Sequence, residues 1–315
     1  MNALEVSHLR KSYGDVIVVD DLNFQVEKGE IFGLIGPNGA GKTTAMMMIV
    51  GLLKADAGSI KLDGLTFNPR DAEMRSRFGV VPQELAIYPD LTAIQNLRFF
   101  GGLNGLHGGR LKERVDYVLE LTGLTKNADA TPTTFSGGMS RRLNFGIALL
   151  HEPEFVVLDE PTVGIDPQSR SGLLDCVRDL SKRGVTVIYA SHYMEEVEAV
   201  CHRVAIMDHG RMLKQGTIEE LLDRSRIDLC VTVASLPQEL VAKLPARVEV
   251  RNDPDGKTTI VIRNSAETRS EEHPGDLRAV LELLENARVP LQEIKTRETS
   301  LETLFLSLTG RKLRD

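Results

Sequence analysis

The chain has 315 residues, which allows one large domain with a smaller one, or two domains of medium size. Its 42% hydrophobic and 26% charged residues are typical of a soluble globular protein. The formal net charge of −7 argues against a nucleic-acid-binding protein, because such proteins usually present a basic surface.

The sequence predicts no membrane-spanning or secretory segment. The most apolar stretch, residues 45–53, is far shorter than the roughly 20 residues that a spanning helix needs. Residues 1–5 lack the basic and apolar regions of a secretory signal. Cys176, Cys201 and Cys230 form no CxxC pair, so we interpret them as reduced thiols of a cytosolic protein. Any role at a membrane therefore requires a separate partner.

The first two thirds of the chain alternate short β-like runs with longer helical segments, a pattern typical of an α/β architecture. Apolar runs of strand length occur at residues 31–35, 155–158 and 185–190, and a helix is predicted over 43–53. Because the three runs are almost continuously apolar and do not alternate, we expect parallel strands that are covered on both faces.

The strand signal fades between about residues 76 and 150. Apolar residues recur there at helical spacing over 91–100, 111–121 and 139–150. This pattern predicts a helical subdomain, about residues 84–150, inserted into the sheet core.

A charged stretch at residues 223–228 predicts a break between two domains, 1–225 and 226–315. The elements predicted beyond it are a strand at 229–234, a helix at 237–244, two strands flanking a turn at 252–256, a helix at 276–286, a strand at 291–296 and a last helix from Leu301. The order βαββαβ followed by α predicts a small α+β domain of the ferredoxin-like kind.

The most specific motif is Gly-Pro-Asn-Gly-Ala-Gly-Lys-Thr at residues 36–43, which matches G-x-x-x-x-G-K-[ST] between a predicted strand and a predicted helix. Its glycines let backbone N–H groups surround phosphate oxygens, and the helix points its positive dipole end at them. Lys42 is expected to reach the β- and γ-phosphates, and the Thr43 hydroxyl to bind Mg²⁺. The motif therefore predicts nucleotide binding.

An acidic pair follows the apolar run 155–158, so Asp159 and Glu160 are expected at the carboxyl edge of a buried strand. We expect Asp159 to hold Mg²⁺ through water and Glu160 to polarise the attacking water. A strand that ends in two acids is a common surface feature by itself. It becomes specific when it accompanies the phosphate loop.

Three further motifs occur in a fixed order with these two: Ser136-Gly137-Gly138-Met139, Gln83 after Val80-Val81-Pro82, and His192 after Ala190-Ser191. They resemble the signature motif, the glutamine loop and the switch histidine of ABC ATPases. The resemblance covers about residues 1–220 and implies a P-loop NTPase core with the inserted helical subdomain. Met139 departs from the pattern, because many members have Gln there, but the serine and both glycines are present.

The resemblance implies a role for individual residues. It assigns the phosphates of ATP to Gly36, Asn38, Gly39, Gly41, Lys42, Thr43 and Thr44. Gln83 would touch Mg²⁺ and the attacking water, and His192 the γ-phosphate. Tyr13 lies where the family places an aromatic ring on adenine, although a strand-end tyrosine that packs on the core is the alternative.

The resemblance also implies partners. Ser136 and Gly138 would complete the ATP site of a second copy, and Asp166 matches the loop that couples two sites across a head-to-tail dimer. A separate integral membrane permease would be driven from the cytoplasmic face of the inner (plasma) membrane, with no nucleic-acid partner. Residues 299–315 resemble the carboxyl end of daunorubicin-resistance-type exporter ATPases, which favours export over import.

Two other functions stay open at this stage. A soluble ABC-type ATPase that acts on ribosomes or DNA usually has two ATPase cassettes or a coiled-coil or zinc insertion, whereas this chain has one phosphate loop. A regulator that binds nucleotide without hydrolysing it would be expected to lack Glu160 or His192, and both are present.

Overall fold

The computed structural model describes residues 2–222, 227–245, 248–252, 256–262, 273–298 and 300–309. Most of the predicted break at 223–228, the centre of the predicted turn at 252–256 and the chain end from Gly310 lie outside the described residues. The chain divides into two compact units: Met1–Ile218 together with the segment that begins at Phe305, and Glu219–Leu304. The predicted domain 226–315 includes that last segment, whereas the structure groups it with the first unit.

The strands up to residue 217 are β1 (Asn2–Tyr13), β2 (Val16–Glu27), β3 (Ile31–Ile35), β4 (Ala57–Leu62), β5 (Leu65–Thr66), β6 (Phe78–Val81), β7 (Phe155–Asp159), β8 (Thr186–Ser191), β9 (Arg203–Asp208) and β10 (Arg211–Thr217). The helices up to residue 222 are α1 (Lys42–Ile49), α2 (Ala72–Ser76), α3 (Ala93–Leu103), α4 (Gly108–Leu121), α5 (Gly137–Ala148), α6 (Pro167–Lys182), α7 (Met194–Val200) and α8 (Ile218–Leu222). Short 3₁₀ turns lie at Thr125–Asn127 and Pro132–Thr134.

A six-stranded sheet in the order β10-β9-β3-β8-β7-β6 positions the candidate site. Its strands β9, β3, β8, β7 and β6 are parallel, which confirms the prediction from the three apolar runs. Ile35 pairs with Ser191, and Ala190 pairs with Asp159, so the carboxyl ends of β3, β8 and β7 are level. The loops that follow these strands therefore begin at one edge of the sheet.

A second sheet, in the order β2-β1-β4-β5, is antiparallel and was not predicted. The register of β1 with β2 shifts four times, and these irregularities interrupt the alternation that identifies a half-buried strand. Strand β6 is also absent from the prediction for residues 76–150. It has four residues, of which Gly79 is one, and so it gives little strand signal.

The helices predicted at 91–100, 111–121 and 139–150 correspond to α3, α4 and α5, which pack against one another. Thr92 begins α3 with a reciprocal capping box, in which its side chain and that of Gln95 satisfy each other's backbone N–H groups. Ser136 caps α5, so the signature serine is also the residue at which this helix begins.

The second unit contains β11 (Ile227–Val233), α9 (Gln238–Val241), β12 (Val248–Asn252), β13 (Thr258–Ile262), α10 (His273–Asn286) and β14 (Leu291–Glu298), and α11 (Leu301–Thr309) follows. This element order is the predicted one. The sheet is antiparallel with the order β12-β13-β11-β14, so the third strand lies between the first and the second. The ferredoxin-like assignment is our interpretation of this order. The apolar core of the unit includes Val231, Val233, Ile260, Ile262, Val280 and Leu284.

Aromatic side chains join the two sheets of the first unit in one core. Phe78 of β6 packs at 5.2 Å from Phe155 of β7 and at 5.7 Å from Phe67, measured between ring centroids. All three side chains are buried in the core cluster. The short strand β6 is therefore held by the packing of the Phe78 side chain as well as by its pairing with β7.

We expect Phe78→Ala to lower the free energy of unfolding by about 3–5 kcal/mol, because it leaves a cavity between two aromatic rings. Urea unfolding followed by circular dichroism measures this loss. Val80→Ala is the matched control on the same strand, since Val80 is 36% exposed and its truncation should cost less than about 1 kcal/mol. Equal losses in the two variants would contradict the packing role of Phe78.

Candidate active site

The loop of residues 36–41 connects β3 to α1, as the motif predicts. Gly41 has a φ of +97°, and a Cβ atom built there would lie 2.5 Å from the carbonyl oxygen of Val18. No other residue type fits both the backbone conformation and the space. The other predicted phosphate ligands in this loop and the first turn of α1 are Gly36, Asn38, Gly39 and Thr44.

Lys42 is the first residue of α1, and its ammonium group is buried at the edge of the sheet. Its Nζ donates to the carbonyl oxygens of Gly36 at 2.8 Å and Pro37 at 3.1 Å, and it lies 3.7 Å from Glu160 Oε1. Burial lowers the pKa of Lys42, and the nearby carboxylates of Glu160 and Asp159 act in the opposite direction. The lysine thus joins the phosphate loop to the acidic pair.

Asp159 ends β7 with its carboxyl group buried. Burial raises the pKa of Asp159, and the Thr43 hydroxyl and the Lys42 charge oppose this effect. Its Oδ1 atom has no hydrogen-bond partner. A buried carboxylate oxygen without a partner, beside a threonine hydroxyl, is a suitable ligand set for a hard divalent cation such as Mg²⁺.

Three predicted site residues converge on the Glu160 carboxylate. Its Oε2 accepts a hydrogen bond from Gln83 Nε2 at 3.1 Å. Its Oε1 lies 3.7 Å from Lys42 Nζ and 3.1 Å from His192 Nδ1, the latter at ion-pair distance without hydrogen-bond geometry. The structure therefore brings together, in one chain, residues that are more than a hundred positions apart.

The backbone of Glu160 is in the left-handed region, with a φ of +46°. This conformation is costly for a residue with a side chain, and such residues concentrate at functional sites. The Glu160 N–H donates to the carbonyl oxygen of Ala190 at 2.9 Å, which joins the turn after β7 to β8. The turn is thereby fixed next to the strand that precedes His192.

Helix α5 holds the loop that contains Gln83. Arg141 Nη1 donates to the Gln83 carbonyl oxygen, and the Ala86 N–H donates to Asn144 Oδ1 at 3.1 Å. Sequence reasoning missed both contacts, because a polar side chain inside a helix gives no indication of its distant partner. They connect the glutamine loop to the helix that begins at Ser136.

The signature turn lies against the Asp166 turn of the same chain. Ser136 Oγ accepts a hydrogen bond from the Met139 N–H at 3.2 Å. A Cβ atom at Gly138 would lie 2.2 Å from Ser169 Oγ and 2.4 Å from Ser169 Cβ, so glycine is required by close packing. Asp166 caps α6 by accepting from the Ser169 N–H at 2.9 Å. Bonds to Ser169 also lower the pKa of Asp166.

The structure does not join every predicted residue to one cluster. Of the residues that it describes, no hydrogen bond or ion pair connects Ser136 or Asp166 to the phosphate loop. Tyr13 ends β1 with 53% of its surface exposed, and Lys11 Nζ lies 5.6 Å from its ring centroid. Its ring is therefore available to stack and does not fill the core.

Sequence reasoning also missed the buried carboxylate of Glu196, which contacts groups next to both Glu160 and His192. The pair Glu195-Glu196 at the start of α7 has the pattern of ordinary acidic residues in a first helical turn. Only the fold shows that one of the two points inward.

Among the described residues, none of the helices has the length and apolarity to cross a membrane.

Comparison of the sequence with known families and proteins identifies relatives along almost the whole chain. The sequence model of the family described as ABC transporter matches residues 19–163. The linearmycin resistance ATP-binding protein LnrL of Bacillus subtilis is 42% identical, with 99% of this chain and 100% of that protein covered. The Nod factor export ATP-binding protein I of Cupriavidus metallidurans is 38% identical, with 99% of each chain covered.

Solved structures share the fold over about seven tenths of the chain. CbiO1 from Clostridium perfringens, described as part of the ABC transporter complex CbiONQ, is 28% identical with a TM-score of 0.66 and covers 71% of this chain and 92% of its own. An ATP-binding subunit of an ABC transporter is 29% identical with a TM-score of 0.63, covering 71% and 93%. These matches confirm the predicted P-loop core, and the relatives' names agree with the resemblance that the motifs carried. The chain therefore belongs to the ABC transporter family, in which it is the ATP-binding subunit and an ATPase.

Proposed function

We propose that this subunit hydrolyses ATP at Glu160 to drive export through a separate integral membrane permease. The convergence of Lys42, Gln83 and His192 on the Glu160 carboxylate carries the proposal. Export is supported by the two relatives named for resistance and export, whose similarity extends over 99% of this chain. This similarity therefore includes residues 226–315. We propose that these residues form an accessory domain, and that residues 1–225 form the nucleotide-binding domain.

Residues 36–44 would hold the phosphates of ATP, with Lys42 as the charged group. Thr43, Gln83 and Asp159 would hold Mg²⁺ directly or through water, and the unpartnered Oδ1 of Asp159 supports this assignment. When bound, the cation neutralises charge on the phosphate oxygens. Tyr13, exposed at the end of β1, would stack on the adenine ring.

Glu160 would orient and polarise the water that attacks the γ-phosphate. Gln83 contacts one carboxylate oxygen of Glu160 and His192 lies beside the other, so both residues orient this side chain. His192 would also contact the γ-phosphate. Since Gln83 holds the Glu160 carboxylate and the bond to Ala190 holds its backbone, little reorganisation is needed at the moment of reaction.

We further propose that two copies pair head to tail, so that Ser136 and Gly138 of one copy complete the ATP site of the other. The signature turn has no polar bond to its own phosphate loop among the described residues, and its serine already begins a helix. The N-terminus of α5 thus offers backbone N–H groups to a phosphate. Asp166 would then lie close to the junction of the two copies, because its turn packs against Gly138.

The permease would dock on the helical subdomain at the cytoplasmic face of the inner (plasma) membrane. Tyr88, Phe99 and Phe100 form a cluster with ring centroids 5.1–5.8 Å apart. Leu85 and Leu103 add exposed apolar surface in the same subdomain. A patch of this kind is typical of a protein–protein contact. No observation favours a ribosomal or DNA partner.

We expect Glu160→Gln to lower ATP hydrolysis by about 10²–10⁴-fold, the usual contribution of a general base. ATP binding should persist, because the phosphate loop is unchanged, and a nucleotide-bound dimer should accumulate. Phosphate release, equilibrium binding of ATP and size-exclusion chromatography measure these effects. Lys42→Ala should weaken binding itself, and Glu113→Gln, at an exposed carboxylate, is the control. Hydrolysis by Glu160→Gln at the wild-type rate would refute the proposed role.

We expect Asp159→Asn to stabilise the nucleotide-free protein at neutral pH while it impairs hydrolysis. The folded-state pKa of Asp159 is raised, so the charged form is penalised in the folded protein above that pKa. The gain in unfolding free energy should shrink as the pH falls, since the wild-type carboxyl then binds a proton. Urea unfolding at several pH values tests this, with Asp90→Asn at an exposed position as the control. A variant less stable than wild type at neutral pH would contradict the expectation.

We expect Leu103→Asp to weaken docking on the permease without changing the ATPase activity of the isolated subunit. Leu103 is 69% exposed at the end of α3, and a buried interface hot spot is worth about 2 kcal/mol, or more than tenfold in affinity. Co-sedimentation with membrane vesicles from the native host measures docking. Leu52→Asp is the matched control, since Leu52 is 70% exposed outside the subdomain. Equal binding by the two variants would exclude the proposed surface.

A further inference from the structure

Glu196 in α7 has a buried carboxylate, 3% exposed, that accepts hydrogen bonds from several side chains. Its Oε2 accepts hydrogen bonds from the hydroxyls of Thr162 at 2.6 Å and Tyr189 at 2.8 Å, and a longer one from Ser191 at 3.4 Å. Its Oε1 lies 3.2 Å from Arg170 Nε. Because a buried carboxylate without such partners would be strongly destabilising, this network is a built feature of the fold.

Two of these partners are next to the proposed reacting groups. Thr162 follows Glu160 by two residues, and Ser191 directly precedes His192. Ser191 Oγ also accepts the N–H of Tyr193 at 2.9 Å, which fixes the backbone on the far side of His192. One carboxylate therefore fastens the turn after β7 to the turn after β8.

Arg170 extends the network to a third element. It lies in the first turns of α6, the helix that Asp166 caps. Its guanidinium carbon lies 5.1 Å from the ring centroid of Tyr193, and that ring lies 4.1 Å from the ring of His192. The Asp166 turn and His192 are thus held in relation to the same carboxylate, Glu196.

The strain at Glu160 explains why such a fastening is needed. Its left-handed backbone persists only if the surrounding structure holds it on both sides. The bond from the Glu160 N–H to Ala190 holds one side, and the bond from Thr162 to Glu196 holds the other.

We propose that Glu196 is a positioning residue, which sets the distance between the Glu160 carboxylate and the His192 ring without touching substrate. This inference rests on the catalytic role proposed for Glu160. It adds that the geometry around Glu160 depends on α7, which carries none of the family motifs.

The test is Glu196→Gln, which keeps the shape of the side chain but places an amide donor opposite groups that are themselves donors. We expect kcat to fall on the order of tenfold, because small displacements of reacting groups are costly. The KM for ATP should stay within about twofold of wild type, since the phosphate loop is not touched. Glu195→Gln, at the exposed neighbour on the same helix, should retain wild-type kcat.

A double-mutant cycle separates positioning from simple destabilisation. In a Thr162→Val background, Glu196→Gln should lower kcat much less than it does alone, because the shared contact is already lost. Wild-type kcat in Glu196→Gln would overturn the inference. The inference would also be overturned if the effects of Glu196→Gln and Thr162→Val on kcat were additive and Glu196→Gln lowered both the affinity for ATP and the melting temperature. That result would indicate general destabilisation. If Glu160→Gln is inactive while Glu196→Gln is normal, this inference alone fails. If Glu160→Gln hydrolyses ATP normally, the proposed function fails.

Discussion

The active-site edge depends on the burial of one ammonium group beside two carboxylates. Lys42, Asp159 and Glu160 are 5%, 8% and 6% exposed, and burial lowers the pKa of Lys42 and raises the pKa of Asp159, which opposes the charged form of each. Such a cluster is expensive in a low-dielectric interior, and it carries one more negative than positive charge. The excess negative charge favours a divalent cation at this edge of the sheet. The surrounding elements keep these three groups from relaxing apart.

The parallel sheet supplies most of that restraint. Its strands β3, β8 and β7 end level, so that the phosphate loop, the turn at Glu160 and the turn at His192 share one edge. The helical subdomain supplies the rest, because Arg141 of α5 holds the Gln83 backbone while the Gln83 amide reaches Glu160. A shift of α5 would therefore alter the position of Gln83 at the site. Through Gln83, a movement of the helical subdomain would thus reach the Glu160 carboxylate directly.

The sequence was informative wherever a residue's role follows from its neighbours along the chain. Strands β3, β7 and β8 were predictable because they are buried on both faces and hence mostly apolar along their length. The phosphate loop was predictable because its glycines serve local backbone conformation. Strand β6 and the antiparallel sheet were not, since short or irregularly paired strands lack a clean period. Glu196, Arg141 and Ser169 were not predictable either, because each acts through partners that only the tertiary fold brings near.

The contact between Gly138 and Ser169 has a genetic consequence. A side chain at position 138 would collide with Ser169 Cβ, which cannot rotate away, and would push on the start of α6 and on Asp166. In the head-to-tail pair that we propose, one such substitution would disturb two turns of the altered copy. These are the signature turn, which completes the ATP site of the partner copy, and the Asp166 turn at the junction of the two copies. A mixed assembly of one altered and one intact chain would then contain no unharmed catalytic half. Alleles at position 138 should accordingly behave as dominant, even when the normal gene is expressed at the same level.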